Sequence, residues 1–506
     1  MRLCNHLPAS ILLAILLHCP LSGRDFNVLD YGAVSDGKTL NTTAIQNAIH
    51  ATAEQGGRVV FPPGKYLCGS IRLKSGVTLH LEKGATLLGS TNPADYQRLN
   101  FLALVIADRV KDIGISGEGE IDGQGKILAK ASIGPIKQGA FPDAGEAKRP
   151  VVLNFRNCSG VTVRNVTLRE SACWMQLYRD CDRVLVENLT VRTMAAVTND
   201  GLDLDGCSNV IVRGCDIDSE DDAICLKSSA RACENVLIEN CRIRSTCNAL
   251  KFGTASFKGF KNVTARNLEI HDTYLSGIAL EIVDGGAMEN ILISKVRMKT
   301  TNNPIFIRLG QRQADRPVGS IRNVTISDVT ADIPNRRKSE MNKFPEGWRH
   351  LCTTLITGSI TGLPGHPVTG VTLKNIAITY GGIGNEAKPG HLLLEHLDKV
   401  PECSDRYPES KMFGVLPAWG LYCRHVEGLN FENVQFKVTA TDYRAAVILD
   451  DVRNLKMDRF QILSAGKEPP MILKDVIEAA IVNSRGPAEG STWIAKKGNT
   501  RNVTIR

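Results

Sequence analysis

The sequence contains few aromatic residues and no apolar run long enough to cross a membrane. Aromatic residues make up 5% of the 506 residues, whereas glycine occurs 45 times. Long glycine-rich chains with few aromatics are typical of all-β repeat proteins, in which small residues fill the corners of stacked layers. The apolar run at residues 11–17 follows an arginine and precedes small residues. We therefore expect residues 1–23 to be a signal peptide and the protein to be secreted or periplasmic, without a membrane anchor.

Zinc-type cysteine pairs and basic runs interleaved with aromatics are also lacking, so neither a zinc site nor nucleic-acid binding is expected. Fifteen cysteines occur, and thirteen remain after residues 1–23 are set aside. This odd number, and the position of several cysteines within a repeat, favours small buried hydrophobes over a disulfide framework. The net charge of +8 is spread along the chain and favours an acidic substrate. No cofactor and no metal are predicted.

One segment shape recurs seven times, each copy carrying a short alternating core such as V-x-V. The marker residues of these cores are Val161, Val184, Val210, Val236, Val263, Ile291 and Val324. Alternation predicts strands with one face inward, and a repeat of this length predicts one turn of a parallel β-helix. Recurring N-x-[ST] motifs belong to the repeat, so their asparagines are predicted at turns between strands rather than as glycosylation sites. These are Asn165, Asn188, Asn262, Asn323 and Asn502.

Residues 24–506 are predicted to form a single domain, in which residues 24–90 make an N-terminal cap and the first turns. An amphipathic helix within residues 41–55 places Ile45, Ile49 and Thr52 on one face. Such a helix would cover the open end of the repeat, where a sheet edge would otherwise be exposed. Three segments break the repeat and are interpreted as loops: residues 126–150, 334–350 and 382–420.

Residues 197–229 hold eight acidic residues within this basic chain. Aligning the strand that opens each turn places two columns of residues on the outer face. The first column is Asp203, Cys225, Lys251, Ala279 and Phe306, and the second is Asp205, Lys227, Gly253, Glu281 and Arg308. A third column, Asp200, Asp222 and Asn248, precedes them, with Asp221 beside it. Neighbouring turns lie about 4.8 Å apart, so Asp200, Asp221 and Asp222 are expected to share one patch.

Carboxylates gathered in this way are suited to acid–base chemistry. Like charges at short range resist joint ionisation, so the pKa of at least one carboxyl is expected to rise and to supply a general acid beside a general base. A carboxylate pair is the usual equipment of glycoside hydrolysis, about 6.5–9.5 Å apart when the reaction inverts. A solvated acidic face and a calcium site are the alternatives. Lys227 and Lys251 count against calcium and favour a sugar carboxylate as partner. Asp216, Asp218 and Glu220 are expected on a turn between strands.

Two motifs and the N-terminal entry carry a family resemblance. Residues 30–67 read DYGAVSDGKTLNTTAIQNAIHATAEQGGRVVFPPGKYL, residues 198–201 read Thr-Asn-Asp-Gly, and a double aspartate stands at Asp221 and Asp222. Over nearly the whole mature chain the sequence resembles glycoside hydrolase family 28, the polygalacturonase family, which has a right-handed parallel β-helix. The resemblance implies that Asp221 is the general acid and that Asp200 and Asp222 activate the attacking water, giving inversion.

The sequence departs from this family at two substrate motifs. The family's Gly-His-Gly falls at residues 247–249, where Asn248 replaces the histidine, and its Arg-Ile-Lys falls at residues 279–281, where both cations are absent. In the family those cations hold the substrate carboxylate. Lys251 and Arg308 are predicted to replace them, whereas Glu281 would suit neutral sugar hydroxyls. The full set of predicted substrate-binding residues is Asn248, Lys251, Glu281, Arg308, Lys227 and Asp203.

A segment at residues 406–414 resembles a subgroup of secreted bacterial members. Glu409, Met412 and Phe413 are expected to border the cleft, or else to form a rim loop without substrate contact. His271, His391 and His425 are interpreted as structural.

These observations predict a secreted, monomeric glycosidase that cleaves α-linked galacturonic acid in pectin, at chain ends or in branched regions. Three alternatives remain open. They are a hydrolase of rhamnogalacturonan or another acidic glycan, a Ca²⁺-dependent polysaccharide lyase on the same fold, and a non-catalytic carbohydrate-binding protein.

Overall fold

The computed structural model describes residues 24–133, 148–334, 357–382, 397–463, 469–487 and 492–506. Parallel β-strands dominate it, which confirms the all-β class. The chain forms two compact units, one containing residues up to Leu226 together with Ala230–Ile243, the other containing Lys227–Ser229 and Arg244–Arg506. The predicted signal peptide and the 334–350 loop, apart from Pro334, lie outside the described residues.

The strands of the first unit are short. They are Arg24–Asn27, Gly57–Phe61, Gly64–Cys68, Ile71–Arg72, Val77–Leu81, Ala85–Gly89, Gln97–Arg98, Leu102–Asp108, Lys111–Gly117, Glu120–Asp122, Val151–Arg156, Ser159–Arg164, Thr167–Arg169, Gln176–Arg179, Asp182–Glu187, Thr190–Thr193, Leu202–Asp205, Ser208–Arg213 and Asp216–Ser219. Two further strands, Ile224–Lys227 and Cys233–Ser245, contain residues of both units.

Several strands of the second unit are longer. They are Leu250–Phe252, Phe260–Ile282, Ala287–Leu309, Ser320–Ile333, Gly358–Thr361, Val368–Tyr380, Ala418–Val438, Ala445–Leu463, Met471–Lys474, Ile477–Val482, Ile494–Lys497 and Arg501–Ile505. The α-helices are Thr42–Gln55 and Gly125–Ile133, and the 3₁₀ helices are Val28–Tyr31, Pro93–Asp95 and Leu397–Lys399.

The sequence repeat sets the strand register. In the first unit Val161 pairs with Val184, Val184 with Val210, and Val210 with Val236. In the second unit Val263 pairs with Ile291 and Ile291 with Val324. Each marker residue is therefore stacked in register on the marker of the next repeat. These side chains are buried and form a continuous apolar core within each unit.

The predicted position of the repeat asparagines is confirmed only in the first unit. Asn165 and Asn188 lie between strands as predicted, whereas Asn262, Asn323 and Asn502 lie within the strands Phe260–Ile282, Ser320–Ile333 and Arg501–Ile505. All five asparagines of the N-x-[ST] motifs have φ between 53° and 61°, the left-handed conformation that asparagine tolerates better than most residues. Their side chains also join successive repeats. The Asn188 amide donates to the Asn165 Oδ1 at 3.1 Å, and Asn290 donates likewise to Asn262.

The described cysteines are buried, in agreement with their interpretation as small core residues. Cys215 and Cys241 stack on each other, since the amide after Cys241 donates to the Cys215 carbonyl at 2.9 Å. Cys352 lies outside the described residues.

Two local predictions were wrong. Residues 125–133 form a helix where a loop was expected, and Asp216 and Asp218 lie within the strand Asp216–Ser219 rather than on a turn. Alternating Asp-Ile-Asp-Ser fits a half-buried strand, because its acids point outward and Asp216 pairs with Arg192 at 3.0 Å.

The predicted N-terminal helix is present as Thr42–Gln55 and buries Ile45, Ala48, Ile49 and Thr52. It packs against the first strands, including Gly57–Phe61. Among the described residues, the helices are too short or too polar to span a bilayer.

Candidate active site

The backbone of the first unit brings Asp200 beside the double aspartate. The amide of Gly201 donates to the Asp222 carbonyl at 2.9 Å, and the Asp221 amide donates to the Asn199 carbonyl at 3.3 Å. Asp200 and Asp222 are only 4% and 5% exposed, while Asp221 is half-buried. The carboxylate oxygens of Asp221 and Asp222 approach within 4.8 Å of each other. The three predicted catalytic aspartates therefore lie on two neighbouring turns, as the repeat alignment indicated.

The Thr-Asn-Asp-Gly turn has a defined local structure. The Asn199 side chain accepts from the Ala196 amide at 2.8 Å and donates to the carbonyls of Ser171 and Cys173. A Cβ on Gly201 would lie 2.6 Å from the Ala223 carbonyl oxygen, so only glycine fits at this position. Asn199 and Gly201 are thus required for the conformation of the turn, and Asp200 between them presents the carboxylate that could take part in a reaction.

Asp203 and Asp205 are buried on the same strand. One carboxylate oxygen of Asp200, one of Asp203 and the Cys225 Sγ lie within 4.8 Å of one another. Each of the three residues also interacts with other groups of the protein. This grouping could hold a cation, but acidic clusters are common without one, and it supports no metal assignment. Asp205 accepts from Arg179 Nε at 2.9 Å. Burial, and then the nearby charge of Asp205, raise the pKa of Asp180.

Two residues of this site were given no functional role by the sequence analysis. Arg149 is fully buried and donates to the Thr198 hydroxyl at 2.6 Å. Glu220 accepts from the Asn199 amide at 3.4 Å and is 4% exposed, so it links the two turns that carry the aspartates. Neither residue belongs to a repeat column. The concentration of acids before Asp221 was the only available hint for Glu220.

In the second unit, Lys251 lies beneath a polar and aromatic cover. Its Nζ is 3.7 Å from the Glu409 Oε1 and 5.4 Å from the centre of the Tyr407 ring. Lys251 is 2% exposed, whereas Tyr407 is 54% exposed. Arg312, which binds the buried Asp284 through both Nε and Nη2, also approaches the Tyr407 ring at 5.8 Å.

The predicted columns of the second unit are confirmed. Lys251 pairs with Ala279 and Ala279 with Phe306, while Glu281 pairs with Arg308. A Cβ on Gly253 would lie 3.0 Å from the Glu281 Oε2, so this glycine makes room for the carboxylate.

Arg308 is directed at backbone carbonyls. Its Nη2 donates to the carbonyls of Glu402 and Cys403 at 2.7 and 3.1 Å, and its guanidinium lies 5.4 Å from the Phe413 ring centre. Burial lowers the pKa of Arg308 to about 10. These contacts hold residues 402–413 in place, and substrate binding by Arg308 stays a prediction.

Part of the outer face of the second unit, around Ala279 and Phe306, is covered by later residues, which the sequence did not indicate. Residues 397–416, here called the covering segment, pack on the column position of Ala279 and its neighbours. The buried apolar cluster contains Ala279, Phe306, Leu397, Val400, Cys403, Met412, Phe413, Leu416, Ala418, Tyr422, Ala445, Ile448 and Ile472. Met412 and Phe413 therefore contribute packing. An alanine at position 279 suits this cover, because a cation there would be buried among apolar side chains.

The remaining predicted substrate residues have structural contacts as well. Asn248 is buried, and its Oδ1 accepts from the Ser276 amide at 3.0 Å. Lys227 is half-buried at the end of its strand. Their binding roles stay predictions.

Two of the three histidines can be placed. His425 Nδ1 lies 2.7 Å from the Asp451 Oδ2, and its Nε2 lies 3.2 Å from the Glu402 Oε1. His271 Nδ1 lies 3.1 Å from Asp272. His391 is outside the described residues.

The model described as "Glycosyl hydrolases family 28" matches residues 54–390, so the chain belongs to that family. Its reaction class is accordingly hydrolysis, rather than the lyase elimination or non-catalytic binding that the sequence left open.

Named relatives are similar over most of the chain. A "Probable polygalacturonase" of Vitis vinifera is 23% identical over 70% of this chain and 74% of its own. An "Exopolygalacturonase" of Zea mays is 24% identical over 72% of this chain and 86% of its own. The solved structure of a hyperthermoactive exopolygalacturonase from Thermotoga maritima shares the fold, with a TM-score of 0.59 and 23% identity over 74% of this chain and 92% of that one.

Proposed function

We propose that this enzyme cleaves α-linked galacturonic acid, or a closely related uronic acid residue, in pectic polysaccharides, and that it does so with inversion. The observation that carries this proposal is the placement of Asp200 beside Asp221 and Asp222 through the Gly201–Asp222 backbone hydrogen bond. The polygalacturonase names of the relatives support a pectic substrate.

In the proposed reaction, Asp221 is the general acid. Its proton passes to the glycosidic oxygen as the bond to the anomeric carbon breaks. Asp200 and Asp222 hold a water molecule, accept its proton and direct its oxygen to the opposite face of that carbon. The deep burial of Asp200 and Asp222 favours this division, because a carboxylate screened from bulk water binds one oriented water more strongly.

The repeat supports a finer account of the fold. We infer that the in-register parallel pairs build a right-handed parallel β-helix, with the helix Thr42–Gln55 capping its first strands. The apolar run in residues 1–23 supports export.

A second candidate substrate is rhamnogalacturonan or another acidic glycan with a neutral residue beside the uronate. Glu281 and Ala279 stand where the family places cations, and this favours a changed sugar preference. We propose action at chain ends, supported by the exopolygalacturonase name among the relatives.

Product analysis on polygalacturonate, rhamnogalacturonan and a panel of neutral glycans tests the proposal. Asp221→Asn should lower kcat by about 10²–10⁴-fold on the preferred substrate, since the leaving oxygen then departs unprotonated. Asp218→Asn is the matched control, because Asp218 lies on the adjacent strand outside the proposed machinery. Proton NMR of the first product should show the β-anomer.

Full activity in Asp221→Asn would refute the assigned roles. Products with ultraviolet absorption, together with loss of activity in chelator, would indicate elimination instead of hydrolysis.

A further inference from the structure

Arg149 is a fully buried arginine directly attached to the turn that carries Asp200. Its Nη1 donates to the carbonyls of Ala172 and Val197 at 2.9 and 2.5 Å, and its Nη2 donates to the Thr198 hydroxyl at 2.6 Å. The side chain thus joins the turn before Gln176–Arg179 to the turn that contains Asp200.

The cost of burying this cation indicates a specific use. Its acceptors among the described residues are all neutral oxygens, and neutral oxygens compensate the removal of a guanidinium from water less well than a carboxylate does. An apolar residue of similar volume would fill the same space at a lower cost. An apolar residue could not, however, hydrogen-bond to three oxygens that belong to two separate turns, as the guanidinium does.

The conformation of Thr198 shows what the arginine restrains. Thr198 has φ of 57°, a left-handed conformation that is unfavourable for a β-branched residue. Such strain persists only where the surroundings hold it, and it concentrates at functional sites. The φ torsion of Thr198 describes rotation about its N–Cα bond. Arg149 binds the Val197 carbonyl before this bond and the Thr198 hydroxyl after it, and so restrains the rotation.

The residues that follow Thr198 connect this restrained turn to Asp200. Asn199 is held by Ala196 and Glu220, and the Asp200 carbonyl accepts from the Met175 amide at 2.8 Å. With backbone hydrogen bonds on both sides of Asp200, the torsions at residues 198 and 199 set the direction of its Cα–Cβ bond and so the positions that its carboxylate can reach.

We propose that Arg149 is a positioning residue, which holds the turn at residues 197–199 so that the Asp200 carboxylate faces the reacting water. Arg149 has no exposed surface and therefore acts without touching substrate. This inference rests on the proposed catalytic role of Asp200.

The test compares Arg149→Met, Arg149→Lys and the control Arg156→Met. Arg156 lies on the strand that follows Arg149 and forms a two-bond ion pair with Asp108, at 3.0 Å for each bond. The strand Gln176–Arg179 separates it from the strand Leu202–Asp205 that follows Asp200. Arg149→Met should lower kcat by about 10- to 100-fold with KM nearly unchanged, since displacement of a catalytic group by about 1 Å is sufficient for such a loss. Arg149→Lys, which keeps the charge and can still reach part of the acceptor set, should fall between. Arg156→Met should keep the wild-type kcat.

Hydrogen exchange gives a second readout that is independent of catalysis. In Arg149→Met the amides of residues 196–201 should exchange faster, while protection of the strand Val151–Arg156 is retained. Faster exchange at these amides would support the positioning role whether or not the wild type cleaves the tested glycans. Failure of the wild type to cleave any of them would refute the proposed function, but not the positioning role. Wild-type exchange at residues 196–201, or a kcat loss no larger than that of Arg156→Met, would overturn the inference.

Discussion

At the scale of single residues, each of the two units contains charged side chains that are removed from water. Asp200, Asp222, Lys251 and Arg308 are all nearly inaccessible to solvent. A buried charge is tolerated when hydrogen bonds or an opposite charge compensate it, and removal of one partner leaves the other exposed to the full desolvation cost. Substitutions at these positions are therefore expected to change both stability and activity, which makes conservative variants and matched controls necessary.

The contact between Lys251 and Glu409 allows a test of whether Lys251 binds substrate or only supports the covering segment. If Lys251 binds a substrate carboxylate, Glu409 competes with that carboxylate for the same ammonium group. Lys251→Met should then raise KM for a uronic acid substrate about tenfold, and Glu409→Gln should lower it or leave it unchanged. Steady-state kinetics on galacturonate oligomers measure both.

An unchanged KM in Lys251→Met would show that the lysine supports only the covering segment. Tyr407→Phe is the control, because it retains the ring that lies over the ammonium and removes only the hydroxyl.

At the scale of elements, the covering segment is held by two arginines and one histidine. Arg308 donates to the carbonyls of Glu402 and Cys403, and Arg424 donates to the Val400 carbonyl at 2.8 Å and pairs with Glu402 at 2.7 Å. His425 adds its contact with Glu402. The segment is therefore fastened at residues 400–403, while its apolar residues fill the space above the strands.

The stability of this fastening should depend on pH. Burial alone would lower the pKa of His425, but hydrogen bonds with Glu402 and Asp451 outweigh burial and raise it, against a smaller opposing effect of Arg424. Burial likewise opposes ionisation of Glu402, yet His425 and Arg424 outweigh it and lower its pKa. The histidine contribution is thus fully present below its unfolded-state pKa and is lost as pH rises through its higher folded-state pKa. The Glu402 contribution is lost as pH falls through the lowered pKa of that group.

His425→Gln should accordingly reduce the free energy of unfolding by roughly 1–2 kcal/mol near pH 5.5 and by much less near pH 8.5. Urea unfolding across this range measures the difference. His271→Gln is the control, since its partner Asp272 is largely exposed. A loss that does not vary with pH would show that His425 acts through packing alone.

The elements also show how far the sequence could be interpreted. The strands followed from the V-x-V periodicity, and the register of Lys251, Ala279 and Phe306 followed from aligning repeats, because both depend on local alternation. The covering of Ala279 could not be predicted in this way. It depends on contacts between residues more than a hundred positions apart in a segment without a repeat. Arg149 was not predicted either, because it belongs to no repeat column and its partners Ala172 and Thr198 lie 23 and 49 positions away. The repeat alignment placed Asp200 and Asp221 on one patch, and the family motif assigned their roles.

At the scale of the whole molecule, both units rely on stacked identical positions instead of covalent links. Markers such as Val184 and Val210 pair with their counterparts, asparagines bond to asparagines, and cysteines occupy equivalent core positions. Each repeat thus stabilises its neighbours by burial of apolar surface and by backbone hydrogen bonds. Stability of this kind does not require an oxidising compartment, even if the protein is exported.

The described thiols should consequently be inert in the folded protein, and a reductant in solution should not change its stability. Burial raises the pKa of Cys233 to about 12 and raises that of Cys68 and Cys423 as well, so little of the reactive thiolate forms at these three. A hydrogen bond with Cys241 lowers the pKa of Cys215, but this thiol is buried and shielded from reagents. A thiol reagent should label the native protein slowly and the urea-unfolded protein completely. The midpoint of thermal unfolding should be the same with and without dithiothreitol. Cys352→Ser is a suitable background, because it leaves only described cysteines within residues 24–506. Loss of a disulfide costs about 2–5 kcal/mol, so a midpoint that falls by several degrees in reductant would show that a cross-link had formed between repeats.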